Sequence, residues 1–162
     1  MSKSEFQFCD FLLDVHDDYK DFVTTVNEML EKNNYKIKIE SKASGFLVSY
    51  SHVKTKKSIL NFAFRKQGLF TRIYGTHCNN YADLLNRLPQ NMVDQIDKSG
   101  NCSRMLDPQA CNSRCAMGYD FYIRDKHYQK CRIVCFFLHV NHESIPYLLE
   151  IIEREQQERA AV

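Results

Sequence analysis

A chain of 162 residues with 44% hydrophobic and 26% charged residues has the composition of one globular domain, long enough to bury about 70% of the surface it would expose unfolded. Its longest apolar run, "IVCFFLHV", is far too short to cross a bilayer, no segment is repeated or of low complexity, and the formal net charge is +2. Disorder, a coiled coil and a helical membrane protein are thereby excluded, and a single domain over residues 1–162 is expected.

The first residues, "MSKSEFQFCDFLLDVHDD", turn acidic where a secretory signal needs a small-residue cleavage site, so a cytoplasmic protein is expected. From Phe8 to Leu30 apolar residues recur at three- and four-residue steps with acids opposite, which predicts a helix. His16, Asp17 and Asp18 mark a break in it, with an aspartate as the new N-cap. From Lys36 the period becomes two. "KIKIESK", "GFLVSYSH", "SILNFAF" and "LFTRIYG", separated by "ASG", "VKTKK" and "RKQG", predict a four-stranded antiparallel meander with one apolar face. Asn79 is expected to cap a helix over "YADLLNRL", and "NMVDQIDKS" a second short one after Pro89. A stretch of about twenty residues without period follows. "YDFYI" and "YQKCRIVCFFLHV" then flank the turn "RDKH" as a hairpin, and Ser144 with Pro146 opens a last helix, whose end "EREQQERAAV" reads as solvated. The order predicts an α+β domain: N-terminal helix, four-stranded antiparallel meander, helix, cysteine-rich loop, two-stranded hairpin and C-terminal helix. The first and last helices should cover the sheet's apolar face.

The run "FLLDVHDDYKDFV", the pair of hairpins, "GLFTRIYG" and "YADLLNRLP", over roughly residues 5 to 98, resemble the YdhG-like family of small bacterial domains of unknown function. That resemblance implies a bacterial source and an α+β fold in which a curved sheet holds a ligand, with no catalytic residues to carry over. The cysteine cluster beyond it departs from the family pattern.

Five of the seven cysteines lie between Ser99 and Cys135. In a cytoplasmic chain, cysteines serve as thiols, metal ligands or redox groups rather than structural disulfides. Cys102, Cys111, Cys115 and Cys131 are the expected ligands of a structural zinc that pins the aperiodic loop to the hairpin. Arg104, Arg114, Lys130 and Arg132 stand close by in sequence to favour thiolates. An iron–sulfur cluster or thiol-redox pair on the same cysteines, and plain buried thiols, are the alternatives; Asp107, His127 or Cys135 could replace one ligand. No C-x-x-C knuckle is present, and four cysteines would close the site to catalysis. Cys9, Cys78 and Cys135 are assigned to the core.

Phe46, Tyr50, Phe62, Phe64, Phe70 and Tyr74 are candidates for an apolar ligand pocket in a curved sheet, or else simply core. Nine basic residues against one acidic between Lys36 and Gly75 (Lys36, Lys38, Lys42, Lys54, Lys56, Lys57, Arg65, Lys66 and Arg72) allow nucleic-acid binding, against the blander reading of solvated turns and protected edges. The six histidines form no metal or catalytic motif, and His77 beside Cys78 reads as no nucleophile site. The expectation is a non-enzymatic module for a small molecule or a protein partner, with nucleic acid and redox function as rivals.

Overall fold

The periodicity of the N-terminal segment resolves into α1 (Phe8–Asp14) and α2 (Lys20–Lys32), joined by a 3-10 turn over Asp17–Tyr19. The structure, a computed structural model, describes residues 6–162. The break falls where the acids predict it, but the cap is His16: its Nδ1 accepts the Asp18 N–H at 3.1 Å, and no aspartate serves. Phe11, Phe22, Val23, Val26 and Leu30 are buried, the stripe that the three- and four-residue steps require.

β1 (Tyr35–Lys42), β2 (Gly45–His52), β3 (Ser58–Arg65) and β4 (Gly68–Ile73) form the expected meander. Lys42 pairs with Gly45 and Arg65 with Gly68 across two-residue turns, and both glycines carry φ near +124°, a region closed to most side chains. The register puts Val48, Phe62 and Thr71 on one face, against which Phe11 stacks at 5.6 Å from Phe62 and Phe22 packs edge-on at 6.0 Å. Burying such rings is worth about 2–3 kcal/mol each, so this face anchors the helices.

Beyond the meander, a 3-10 turn (Cys78–Tyr81) runs into α3 (Ala82–Leu85), followed by α4 (Gln90–Lys98) and the single-turn α5 (Ser103–Leu106). Asn79 is not a cap: its side chain donates to the Asp120 carbonyl at 3.0 Å. β5 (Tyr119–Ile123) and β6 (Lys126–Lys130) form a hairpin whose two turn residues, Arg124 and Asp125, both have positive φ, as the tight hairpin turn demands. The strand predicted through "YQKCRIVCFFLHV" is two strands. The chain turns at Cys131–Cys135, where the Cys135 N–H reaches back to the Cys131 carbonyl at 2.9 Å. β7 (Phe137–His139) then joins the main sheet beside β4, in the order β1-β2-β3-β4-β7. α4 closes the outer edge of β7, Gln95 Oε1 accepting the His139 N–H at 3.0 Å.

α6 (Ile145–Ala160) starts with Pro146 in its first turn. Ser144 precedes it but does not cap it through its hydroxyl, which donates to His139 O at 2.7 Å and accepts the Asn141 N–H at 3.0 Å. Leu148, Ile151 and Ile152 are buried in the same cluster as α2, the sheet and the hairpin, so the expected α+β architecture holds. Among the described residues no helix is long and apolar enough to cross a membrane.

Candidate functional site

The face of α6 that carries Leu148, Ile151 and Ile152 continues, one turn on, to Glu155, which is 0% exposed. A buried carboxylate is tolerated only when its lone pairs are filled, and four donors fill these. Oε1 accepts the His77 backbone N–H and the Tyr81 hydroxyl, each at 2.9 Å; Oε2 accepts Arg159 Nε at 2.8 Å and His77 Nδ1 at 3.0 Å. The helix end expected to be solvated therefore carries the most deeply buried charge among the described residues.

Arg159 is equally committed. Its two terminal nitrogens donate at 2.9 Å to Ser58 O, at the start of β3, and to Tyr74 O, just past β4, so one guanidinium ties α6 to the end of the sheet. Burial, reinforced by the neighbouring Glu155 charge, pushes the Tyr81 phenol well above its usual range and the Cys78 thiol up to about 12. Cys78 is thus a neutral core thiol and not a nucleophile for its neighbour His77.

The outer edge of His77 lines a cavity of about 490 Å³ shared with Tyr35, His52, Lys57 and Thr76. The two imidazoles are held in opposite senses. His77 Nδ1–H donates to the Glu155 carboxylate, which in the neutral ring leaves Nε2 as an acceptor. His52 Nδ1 accepts the backbone N–H groups of Lys54 at 3.2 Å and Thr55 at 3.3 Å, which places the proton of the neutral ring on Nε2. Tyr35, edge-on to His52 at 5.1 Å, fixes that ring from the side. The cavity therefore offers an acceptor, a donor and the Lys57 ammonium, and among the described residues lining it there is no Asp or Glu side chain.

The predicted ligands lie elsewhere. Cys102 and Cys131 flank the Asn101–Lys130 bridge: the Cys102 N–H reaches Gln129 O and the Cys131 N–H reaches Gly100 O, each at 2.9 Å, which puts both side chains on one side of it. The Gly118 N–H points at Cys102 Sγ at 3.3 Å. Arg104 donates to the Cys115 carbonyl, while Cys111 is exposed with φ +63°. Among the described residues no three His, Cys, Asp or Glu side chains stand together as a group able to hold a metal ion, and all seven cysteines are free. A second cavity of about 460 Å³ lies beside Cys102 and His127, but His127 is engaged by Asp120 at 2.5 Å.

The six aromatics proposed as a pocket are divided by the sheet. Tyr50 and Phe62 are buried beneath the helices, and Phe46 and Phe64 are partly buried against the same core. Phe70 points from the opposite face, and Tyr74 follows β4 under the guanidinium of Arg132 at 5.5 Å. Sequence reasoning missed Glu155, Arg159 and His77 as a unit. The signal was present, because Glu155 and Arg159 extend the stripe of Leu148, Ile151 and Ile152 at steps of three and four.

Compared with known proteins, the chain matches no family model, no curated protein and no solved structure.

Proposed function

We propose that this protein is a small-molecule-binding module whose ligand occupies the 490 Å³ cavity beside His77. Its volume is that of ordinary metabolite pockets. The observation that carries the reading is the pairing of oppositely fixed imidazoles: His77 Nε2 accepts, His52 Nε2–H donates, and Lys57 adds positive charge. A ligand matching that set is a small anion that also bears a hydroxyl, the hydroxyl donating to His77 and the anionic oxygens accepting from His52 and Lys57. Burial of Glu155 keeps the acceptor edge of His77 oriented before any ligand arrives, which reduces the ordering cost of binding.

The test is a titration of the protein with glycerol 3-phosphate, malate and inorganic phosphate, followed through the imidazole resonances of His52 and His77. Saturable shifts of both rings by the hydroxyl-bearing anions are expected, with the His52 shift abolished by Lys57→Ala with His77→Phe. Rings unmoved by all three compounds at millimolar concentration reject the reading.

A structural zinc on Cys102, Cys111, Cys115 and Cys131, with an iron–sulfur cluster as its rival, is a separate proposal. Its support is the spacing, the surrounding cations and the shared side of Cys102 and Cys131; metal binding requires the 107–117 segment to close on the Asn101–Lys130 bridge. One equivalent of metal in protein purified without additions, lost on Cys111→Ser, supports it. Metal-free protein with seven titratable thiols rejects it.

A further inference from the structure

Among the described residues, α1, α2 and α6 pack on the face of the five-stranded sheet that carries Val48 and Phe62. On the other, the register sets Lys36 opposite Ser51, Lys38 opposite Ser49 and Arg72 opposite Asn61, and brings Phe70 alongside Arg72, Phe137 and His139. Asn61 and Ala63 of the central strand are buried there between their neighbours, while Leu47, Ser49, Phe70, Arg72 and Phe137 keep partial exposure. Lys36, Lys38, Lys42, Arg65 and Arg72 give this face five cationic side chains against one carboxylate, Glu40, which lies 3.5 Å from Lys38 and 3.8 Å from Lys42.

At one side of the face the cations meet an aromatic platform. The rings of Phe70 and Phe137 stack with centroids 5.0 Å apart and planes 14° apart. Arg72 stands 4.7 Å and Arg65 5.1 Å from the Phe137 centroid. Arg72 is held in place by its Nε–H donating to Ile133 O at 2.7 Å, so the planar group is presented rather than free to swing away. Burying both phenylalanines in the core would be worth about 2–3 kcal/mol each, yet the fold leaves them on the polar side among guanidiniums.

From this juxtaposition we infer that the uncovered sheet face binds single-stranded nucleic acid. Bases stack on aromatic rings and guanidinium planes, and a phosphate backbone follows a line of lysines; open antiparallel sheets use both contacts together. A duplex keeps its base faces stacked inside and cannot use the Phe70–Phe137 platform, and an acidic peptide can use only the charge. The site is separate from the cavity at His77, which takes its groups from the start of β1, the end of β2 and the turn after it, the segment after β4 and the end of α6.

The experiment is fluorescence anisotropy with labelled oligothymidylate and oligouridylate of about twelve nucleotides, the reach of one such platform, over a range of salt. Binding that weakens with salt at a logarithmic slope of about −3 is expected, from roughly four phosphates neutralised. Lys36→Glu with Lys38→Glu, both on exposed side chains, should reduce that slope by about one. Phe137→Leu, and Phe70→Leu beside it, should weaken binding at least about fivefold at every salt concentration with the slope kept. Circular dichroism confirms that each variant is folded. Absence of binding at low salt, a duplex bound more tightly than the single strand, equal competition by polyglutamate, or indifference to both phenylalanine variants would each overturn the inference.

Discussion

Replacing Glu155 by glutamine preserves shape and removes only the charge and half of the acceptor capacity. Each carboxylate oxygen of Glu155 takes two donors, so whichever way the amide turns, its NH2 group faces two of them: His77 N–H and Tyr81 OH, or His77 Nδ1–H and Arg159 Nε–H. At the same time Arg159, whose side chain is 13% exposed, loses its counter-charge. Removing one partner of a buried ion pair costs about 3–5 kcal/mol, against about 5–15 kcal/mol for the whole stability of a typical domain. For a chain of this length that corresponds to a fall in Tm of roughly 6–20 °C. Urea unfolding of Glu155→Gln measures it, and Glu155→Leu, Arg159→Met and the double variant Glu155→Leu/Arg159→Met close a cycle on the pair. The double variant should recover part of the loss, with a coupling of about 1–3 kcal/mol, since no charge is then stranded. A cost below about 1 kcal/mol for Glu155→Gln would refute the reasoning, because a carboxylate worth that little is hydrated and not buried.

Gly118 leaves no room for a side chain, as a Cβ there would lie 2.0 Å from Lys130 O; Gly118→Ala should cost at least about 1–3 kcal/mol and raise proteolysis of the 107–117 loop, and an unchanged cleavage rate contradicts the packing. Hydrogen bonds from Arg154, Lys126 and His127 hold the carboxyls of Asp83, Asp97 and Asp120 below the usual value. The unfolded chain therefore binds more protons than the folded one below about pH 4.5, so stability should fall with pH as these groups protonate, with a shallower fall in Asp97→Asn. Burial raises the Cys78 thiol to about 12 and Cys135 well above its usual range. Stability should thus also decline above about pH 9, where the unfolded chain releases protons that the folded one keeps, and less so in Cys78→Ala. Native thiol titration of metal-free protein should find Cys9 and Cys111 fast and Cys78, Cys102 and Cys135 slow; prompt reaction of Cys78 contradicts its burial.

The meander was legible because alternation is a local signal: Val48 and Tyr50, then Leu60 and Phe62, show the buried face two residues at a time, and Gly45 and Gly68 punctuate it. The split between β6 and β7 was not, since "CRIVC" contains neither glycine nor proline and reads as uninterrupted strand. What turns the chain there is a main-chain bond between Cys131 and Cys135, with Phe136 and Phe137 then facing opposite sides of the sheet. The site was only half legible: Glu155 and Arg159 continue the apolar stripe of α6, but nothing local ties them to His77. Glu155, Arg159 and His77 are ordinary surface residues by type, and their burial depends on α6 crossing the end of the sheet, a contact between segments 78 residues apart in the chain. Cation–aromatic stacking on the uncovered face was likewise invisible, because Phe137 belongs to the strand that the sequence assigns to the hairpin.

The decisive measurement is the tautomer of His77, read from long-range couplings between its ring nitrogens and carbon-bound protons at neutral pH. A proton resident on Nδ1, with Nε2 bare and shifting when a hydroxyl-bearing anion is added, is what the buried Glu155 dictates. A ring protonated on Nε2 alone, or one averaging freely between the two neutral forms, would mean that Glu155 does not orient it and that the cavity has no fixed acceptor to offer.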